Sequence, residues 1–534
     1  MKPFYAMTFA LFLVLVVSAS VFAQAVGDYR SAAPLPAGGV WNTAGYWQRW
    51  NGSAWALAPT PPDGSHVITI LAGDSIYINV AVSITGTLKN QGRLGPGSPS
   101  NLTIANGGTY QHAQNGGAIV AATWGTGSTC LVSSDTMTVT SIPGGGSQSF
   151  YNFVWNCPNQ TANTSLGAYG ATFRGDVTLV TSNTGRFYFM ASNSGSVTIM
   201  GNMIVQGGNF GTNGTGTATN DTVFCFGNVI VTGGNFAVSR GSQGGTGTTT
   251  WYQYGDMSFS NCTSQNSNPT GGRFVFSKQG VQTLTLSNVT YGSGSGSPVN
   301  FDVASGSILQ LGTSDLGTAP NSSTGSFRVL SGATVYSGHP NGLNGNITST
   351  GAQGGGNFFS TGANYGFNGS VVQSTGLFLP DTLADLTVNN PTTVFLAKHI
   401  LINDTLHLKA GQFDVGRGTG YTLGPNGFVS LEGGSLTEVA SHNPNVPNTF
   451  FVDQNYPNPF NPSTTITFGV PARSYVSAKV FNLLGQKVLT LFEGTREAGV
   501  YSLHVNAAKL GSGMYFYRIQ AGNTVDTKRM IILK

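Results

Sequence analysis

The sequence carries little charge and few helix-forming patterns. Only 8% of the 534 residues are Asp, Glu, Lys or Arg, whereas ordinary soluble domains have about 25%. Residues 24–431 contain thirteen aspartates and no glutamate, so few carboxylates can pair as general acid and base. The chain has 76 glycines, and no apolar pattern keeps a period of 3.6 residues over more than three turns. These absences exclude a helical bundle and indicate a β-rich protein.

Long apolar runs are missing except at the amino terminus. That terminus reads MKPFYAMTFALFLVLVVSASVFA, with Lys2, an apolar run over residues 6–17 and small residues before Ala23. This order predicts a signal peptide, residues 1–23, that is cleaved after Ala23. The alternative is a membrane anchor, but the run has twelve residues where a span needs about 20. We therefore expect export out of the cytoplasm.

Cysteine is also scarce, and the common motifs for metals and nucleophiles are absent. Cys130, Cys157, Cys225 and Cys262 are the four cysteines. They permit two disulfides in an oxidising compartment, with three connectivities, but buried free thiols fit equally well. The sequence has no CxxC, HExxH, GxSxG or phosphate-binding loop, so we predict no metal and no cofactor. Its basic residues form no patch interleaved with aromatics, which argues against nucleic acid.

The middle of the chain repeats itself. Four similar runs occur at spacings of 26, 26 and 28 residues: GDVTLV from Gly175, GNMIVQ from Gly201, GNVIVT from Gly227 and GDMSFS from Gly255. A fixed period of this length in strand-like sequence is typical of stacked coils. Residues 101–440 are therefore predicted to form a parallel β-solenoid with repeats of about 26 residues.

The second position of each run is acidic or an amide: Asp176, Asn202, Asn228 and Asp256. On stacked coils these side chains are expected to form a hydrogen-bonded ladder. The two aspartates lie three coils apart, which is about 14 Å, whereas the paired carboxylates of glycosidases stand about 5 to 9.5 Å apart. A calcium site is the alternative, and the structural ladder is the preferred interpretation.

Residues 24–100 contain a cluster of tryptophans, Trp41, Trp47, Trp50 and Trp55. Two interpretations fit. The rings can cap the open end of the solenoid, which must be covered to avoid edge pairing. Alternatively Trp47, Trp50 and Trp55 can stack on sugar rings as glycan contacts. The segment is therefore predicted to be an amino-terminal cap with the first strands, and a candidate glycan surface.

Enzymatic residues are hard to assemble from this sequence. Asp381 and Asp385 are the only acids within four residues of each other in residues 24–431, and His399 and His407 form no ligand motif. We expect a non-enzymatic protein with an adhesive or glycan-contacting role. The alternative is a polysaccharide lyase or glycoside hydrolase, because distant residues can converge on one face of a solenoid.

The last part of the chain has a different character. Residues 441–450 are a polar linker, and residues 450–534 carry nine Lys or Arg against four Asp or Glu, whereas residues 24–449 carry thirteen against fifteen. The segment YPNPFNP, residues 456–462, precedes alternating strand-like runs. The pattern predicts a small immunoglobulin-like β-sandwich over residues 451–534. The prolines impose an extended segment and are expected to hold the sandwich clear of the solenoid.

These motifs resemble two known kinds of sequence. The repeats resemble β-helical passenger regions of surface and secreted proteins in Bacteroidetes-type bacteria. The tail resembles the type A C-terminal sorting domain of the type IX secretion system. The residues that carry the second resemblance are Tyr456, Pro457, Asn458, Pro459, Phe460, Asn461, Pro462, Gly485, Gln486, Gly499, Gly513, Tyr515, Tyr517 and Lys528.

The second resemblance implies a route and partners. The signal peptide would deliver the chain to the periplasm, and the outer-membrane translocon would recognise the folded tail. A sortase-like peptidase would then remove the tail, and the cargo would be released or linked to surface lipopolysaccharide. The resemblance thus implies a secreted or cell-surface protein, with extracellular glycans as a further candidate partner.

Overall fold

The computed structural model of the chain describes residues 24–32, 34–35, 38–95, 101–142, 148–190, 193–213, 219–239, 248–265, 272–291, 299–316, 325–348, 356–416, 420–437, 447 and 449–533. The predicted signal peptide, including Ala23, lies outside the described residues, as do residues 441–446 and 448 of the predicted linker. Within the described part, no helix is long and apolar enough to cross a membrane.

The chain up to residue 437 is a parallel β-solenoid with three faces. Face 1 runs the whole length and joins successive coils through parallel strand pairs. Its strands are Tyr29–Ser31, Val67–Ile70, Thr87–Asn90, Thr109–His112, Thr129–Val132, Asn152–Asn156, Val177–Thr181, Met203–Val205, Val229–Val231, Met257–Gln265, Gly280–Tyr291, Ser307–Gly312, Thr334–Ser337, Asn364–Phe367, Leu386–Phe395, Thr405–Asp414 and Phe428–Leu431. The all-β solenoid predicted from the repeats is confirmed.

Face 2 holds the strands that follow face 1 in each coil. They are Gly39–Val40, Ser75–Tyr77, Arg93–Leu94, Thr164–Ser165, Arg186–Met190, Asn209–Asn213, Asn235–Ala237, Gln373–Ser374 and Ser435–Thr437. Four long face 1 strands, those of residues 257–265, 280–291, 386–395 and 405–414, pair at their carboxyl ends with face 2 strands or with each other.

Face 3 holds the strands that precede face 1. They are Val82–Ile84, Leu102–Ile104, Thr123–Trp124, Ala171–Phe173, Ser196–Ile199, Asn220–Cys225, Thr248–Gln253, Gly272–Phe276, Asn300–Val303, Phe327–Val329, Phe358–Phe359, Thr382–Leu383, Ile400–Ile402 and Tyr421–Leu423. A single helical turn, Leu343–Asn346, interrupts the strands after residue 337.

The predicted repeat corresponds to one coil. Val177 pairs with Met203, Met203 with Val229 and Val229 with Met257. Along each of these strands buried residues alternate with half-buried ones, because successive side chains of a strand point to opposite faces. The buried positions stack into one continuous core, in which Trp155 and Phe187 lie with ring centroids 4.4 Å apart.

Residues 450–533 form a separate small sandwich. One sheet contains Phe451–Val452, Ser463–Val470 and Gly499–Asn506, and the other contains Lys487–Arg496, Ser474–Phe481, Gly513–Ala521 and Thr524–Ile532. All pairings within the two sheets are antiparallel. Their apolar sides share a core that includes Val480, Tyr517 and Ile532. The two antiparallel sheets agree with the predicted carboxyl-terminal sandwich.

Candidate functional site

The tryptophan cluster covers the first coil of the solenoid. Strand Trp47–Trp50 pairs antiparallel with Tyr29–Ser31 on one side and with Trp55–Leu57 on the other. Tyr29–Ser31 in turn pairs parallel with Val67–Ile70. A short 3₁₀ turn, Ala44–Tyr46, leads into this arrangement. The antiparallel strands therefore continue the first edge of face 1 as an amino-terminal cap.

Two of the tryptophans belong to the core of this cap. Trp41 and Trp47 are buried, with ring centroids 5.0 Å apart, and the indole N–H of Trp47 donates to the backbone oxygen of Trp41 at 2.9 Å. The prediction that Trp47 contacts glycans is wrong, because its side chain points inward and is fully buried. Trp50 lies three residues further along the same strand. Because successive side chains point to opposite faces of a strand, the side chain of Trp50 points outward.

The other two tryptophans form a half-buried surface pair. Trp50 and Trp55 are opposite each other on neighbouring strands, with ring centroids 5.5 Å apart and planes inclined at 58°. The guanidinium of Arg30 lies over Trp55, 4.5 Å from the ring centroid, and its Nε donates to Gln48 Oε1 at 2.7 Å. This pair, with Arg30 and Gln48, combines indole surface with polar groups; we call it the indole patch.

The polar ladder joins successive coils. Each side-chain oxygen accepts the backbone N–H one coil further on: Asp176 Oδ1 from Asn202 at 2.7 Å, Asn202 Oδ1 from Asn228 at 2.9 Å, Asn228 Oδ1 from Asp256 at 2.8 Å and Asp256 Oδ1 from Thr283 at 2.8 Å. Backbone N–H groups thus donate to side-chain oxygens, and the first three bonds satisfy the N–H just before a strand, whereas Thr283 lies within strand 280–291. Asn202 Nδ2 also donates to Asp176 Oδ1 at 3.1 Å. Among the described residues, no three His, Cys, Asp or Glu come together as a metal-binding group.

The predicted acid and histidine candidates do not assemble into one site. Asp381 pairs with Lys398 at 2.6 Å, while Asp385 Oδ1 accepts the backbone N–H of Thr405 at 2.8 Å. His407 Nδ1 lies 2.9 Å from Glu432 Oε1, and that hydrogen bond lowers the pKa of Glu432. His399 contacts Thr422. Each group is thus used in a local contact between neighbouring coils.

The four cysteines are buried free thiols. Cys130 lies on face 1, Cys225 on face 3 and Cys262 on a strand that continues into face 2. Burial raises the pKa of Cys157 and Cys225 to about 12 and that of Cys262 to about 11. Since only the thiolate is nucleophilic, these positions act as small core residues.

Face 3 carries two outward-facing aromatic stacks that the sequence analysis missed; Phe226 is exposed and the other three rings are half-buried. Phe224 and Tyr252 stack with centroids 5.3 Å apart, and Phe226 and Tyr254 with centroids 4.7 Å apart, both nearly parallel at 10°. The sequence pattern could have indicated these stacks, since VFCFG from Val223 and WYQYG from Trp251 place the rings at matching positions one repeat apart. The rings cover each other's faces, so a ligand would meet chiefly their edges.

Further along face 3, one carboxylate is held by two arginines from neighbouring coils. Asp302 is 4% exposed and pairs with Arg273 and with Arg328, whose Nη2 lies 2.5 Å from Oδ2. The hydrogen bond to Asp302 raises the pKa of Arg328. A guanidinium remains charged at all accessible pH, and Asp302 is the one carboxylate of this cluster, so its geometry is that of an ion pair between coils.

A shallow groove of about 590 Å³ lies along face 1, and its lining mixes polar and apolar surface. Among the side chains that line it are Thr283, Gln310, Thr313, Asn368 and Ser370. Asn368 Nδ2 donates to Gln310 Oε1 at 2.7 Å, which bridges two coils. The groove offers hydroxyl and amide groups, and Val281 supplies an exposed apolar side chain at its margin.

In the sandwich, the proline-rich segment belongs to the fold. The peptide bonds before Pro457, Pro459 and Pro462 are cis. Phe460 is buried in the core, its N–H donates to Ile531 O at 3.0 Å, and Asn458 Oδ1 accepts the N–H of Ile531 at 2.8 Å. The segment is therefore part of the sandwich, where it covers the carboxyl-terminal part of the free edge of strand 524–532.

The remaining motif residues shape turns and strands of the sandwich. Gly485 has φ +74° in the turn that Asn482 closes, where Gln486 donates its N–H to Asn482 Oδ1 at 2.9 Å. The hydroxyl of buried Tyr517 donates to Asp453 O at 2.7 Å, and burial raises its pKa to about 12. The hydroxyl of Tyr515 donates to a backbone oxygen within its own turn.

Other motif positions lie at strand ends or on the surface. Gly499 pairs with Val470, and Gly513 pairs with Ile532. Lys528 Nζ lies 3.7 Å from Asp526 Oδ2, and Tyr456 is 83% exposed. The motif thus combines residues that build the sandwich with residues that it presents to solvent.

Comparison with known proteins agrees with this domain. The family of secretion system C-terminal sorting domains matches residues 454–533. No curated protein and no solved structure matches the chain in such comparisons. The match covers the sandwich and supports export to the cell surface or secretion. The chain is a type IX secretion cargo that carries its C-terminal sorting domain behind a β-solenoid.

Proposed function

We propose that the solenoid is a non-enzymatic, adhesive protein that contacts extracellular glycans. The observation that carries this proposal is the indole patch. Trp50 and Trp55 are half-buried aromatic surface at the amino-terminal end of the solenoid, and aromatic rings with one polar edge are suited to sites that are partly apolar and partly wet. Arg30, whose guanidinium lies over Trp55, and Gln48 supply side-chain donors for sugar hydroxyl or carboxylate oxygens.

The finer steps of export belong to the same proposal. The signal peptide is cleaved after Ala23, the outer-membrane translocon recognises the sandwich, and a sortase-like peptidase removes it. The solenoid is then released or linked to surface lipopolysaccharide. The order of the segments supports this route, since the apolar run of residues 6–17 precedes the solenoid and the sorting domain follows it.

The alternative is a β-helical polysaccharide lyase or hydrolase. The cluster of Arg273, Asp302 and Arg328 on face 3 is the observation that favours it, because catalysis on polysaccharides often combines carboxylates with basic residues. Against it, the carboxylate is committed to two arginines and is buried, so it is not free to exchange a proton with a substrate. We therefore prefer adhesion.

Affinity electrophoresis of residues 24–534 through gels that contain different polysaccharides tests both functions. We expect retarded migration in at least one intact polysaccharide, and Trp50→Ala or Trp55→Ala should weaken the apparent affinity by about tenfold or more. Phe428→Ala is the matched control, because Phe428 is an exposed aromatic residue far from the cap in sequence. A cleared zone in the stained polysaccharide would replace adhesion with the enzyme, and unretarded migration in every gel would remove the proposal.

A further inference from the structure

The four-stranded sheet of the sorting domain has one side turned away from the core. Along strand 474–481 the residues Val476, Ala478 and Val480 are buried, so the alternate positions 477, 479 and 481 point outward. The same alternation turns residues 516, 518 and 520 outward on strand 513–521. We call this side the outer sheet face.

One row of the outer sheet face reads Lys487, Phe481, Phe516 and Arg529 across the four strands. Phe481 pairs with Lys487 on one side and with Phe516 on the other, and Phe516 pairs with Arg529. Both rings are half-buried, and both end residues are exposed. Two apolar rings are thus flanked by two exposed cationic groups.

The next row adds two more cations. Lys479 pairs with Arg518, whose guanidinium lies 5.2 Å from the centroid of Phe481 and whose Nε donates to Thr527 Oγ1 at 3.2 Å. Glu493 is the one carboxylate that the described strands place on this face, and Lys479 Nζ lies 2.5 Å from it. The excess of positive charge in the tail is therefore concentrated on one flat surface.

The shape of this surface favours a protein partner over a lipid surface. Aromatic residues and Arg are enriched in the centres of protein interfaces, with polar groups around them. The guanidinium of Arg518 lies over the ring of Phe481, and both rings are half-buried, so they do not protrude as side chains that insert into a bilayer do. At its carboxyl-terminal end, the edge of strand 524–532 is already paired with residues 458–460.

We propose that the outer sheet face is the surface by which the sorting domain docks on an acidic protein surface of the secretion machinery. Lys487, Arg518 and Arg529 provide charge complementarity, which steers association and orients the partner. Phe481 and Phe516 form the apolar centre. The inference concerns the exported tail alone and is independent of what the solenoid binds.

The test is export of the full chain in a bacterium that has the type IX machinery. Lys487→Glu with Arg529→Glu should lower the fraction that reaches the surface or medium by about tenfold or more, because like charges face each other in the complex. The matched control is Arg473→Glu with Lys509→Glu, two exposed cations outside the four strands, which should export normally. Lys487→Arg with Arg529→Lys keeps the charge and should also export normally.

Folding is checked by protease resistance of each purified full-length variant. Should the reversal unfold the sandwich, Lys487→Gln with Arg529→Gln is the milder variant, and it should lower export while the sandwich stays protease-resistant. The proposal would be overturned if Lys487→Glu with Arg529→Glu and the control Arg473→Glu with Lys509→Glu were exported equally well or lost export to the same extent. The full chain should also be tested on anionic phospholipid vesicles. If it binds them and Lys487→Glu with Arg529→Glu abolishes this binding, the proposal is overturned, because the surface then recognises lipid.

Discussion

At the scale of single residues, the solenoid depends on positions where coils approach too closely for a side chain. Gly175, Gly201, Gly227 and Gly255 open the four repeated runs and stack on one another, with Gly201 donating its N–H to Gly175 O at 3.2 Å and Gly227 to Gly201 O at 3.1 Å. The repeated glycine is thus a packing requirement at this corner, since only hydrogen fits between the backbones.

Gly227→Ala tests this requirement. A Cβ at position 227 would lie 2.1 Å from Gly201 O and 2.3 Å from Gly201 C, and backbone atoms cannot move aside as a flexible side chain can. Overpacking of this kind should cost about 1–3 kcal/mol, measured as a lower midpoint of thermal unfolding by circular dichroism. Gly45→Ala is the control, because a Cβ there meets nothing within 4 Å. Equal midpoints for the two variants would contradict the close approach.

At the scale of elements, contacts between coils differ in how deeply they are buried. Asp302 is 4% exposed and ties together strands 272–276, 300–303 and 327–329, whereas the side chain of Asp381 is 84% exposed in its pair with Lys398. Charged hydrogen bonds contribute about 1.5–3 kcal/mol each, while exposed ion pairs contribute about 0–1 kcal/mol. Burial should therefore decide which aspartate matters for stability.

Asp302→Ala should destabilise the solenoid by about 1.5–3 kcal/mol, because both guanidiniums lose their carboxylate. Arg273 and Arg328 are 21% and 38% exposed, so water recovers part of the loss and the cost stays below that of a fully buried ion pair. Asp381→Ala should cost about 1 kcal/mol or less. Denaturant unfolding of the two variants, followed by circular dichroism, makes the comparison. A loss as large for Asp381→Ala as for Asp302→Ala would refute the argument from burial.

At the scale of the whole molecule, the solenoid and the sorting domain are separate bodies with separate roles. The solenoid has one continuous core and the sandwich has another, and the basic excess belongs to the sandwich. Two bodies with their own cores can be recognised separately, since each domain folds around its own hydrophobic interior. Sorting should therefore depend on the sandwich whatever the solenoid binds.

Deletion of residues 450–534 should trap the protein in the periplasm, because the surface that the machinery recognises is gone. Fractionation and immunoblotting of a type IX-competent host measure this. The reciprocal experiment fuses residues 450–534 to a periplasmic reporter protein, which should then appear at the surface or in the medium. Normal display of the truncated chain would refute the role of the sandwich in sorting.

The sequence alone determined the class of fold and the sorting tail. The 26-residue spacing of the glycine-led runs predicts coils, and an ordered set of motifs from Tyr456 to Lys528 suffices to recognise the tail. Both signals are local or periodic, so they can be read along the chain without knowledge of which distant residues meet. The same holds for the ladder positions, whose register follows from the repeat.

Only the tertiary structure decided which way side chains point and what they meet. Trp47 and Trp50 are three residues apart in one aromatic cluster, yet Trp47 is buried and Trp50 lies on the surface. The register of strand 47–50 determines which of its alternating side chains face the core. The pairing of Asp302 with arginines on two neighbouring coils and the edge contact of Asn458 with Ile531 join residues far apart in the chain. Such contacts depend on how coils and sheets stack, and that stacking brings together residues with no common pattern in sequence.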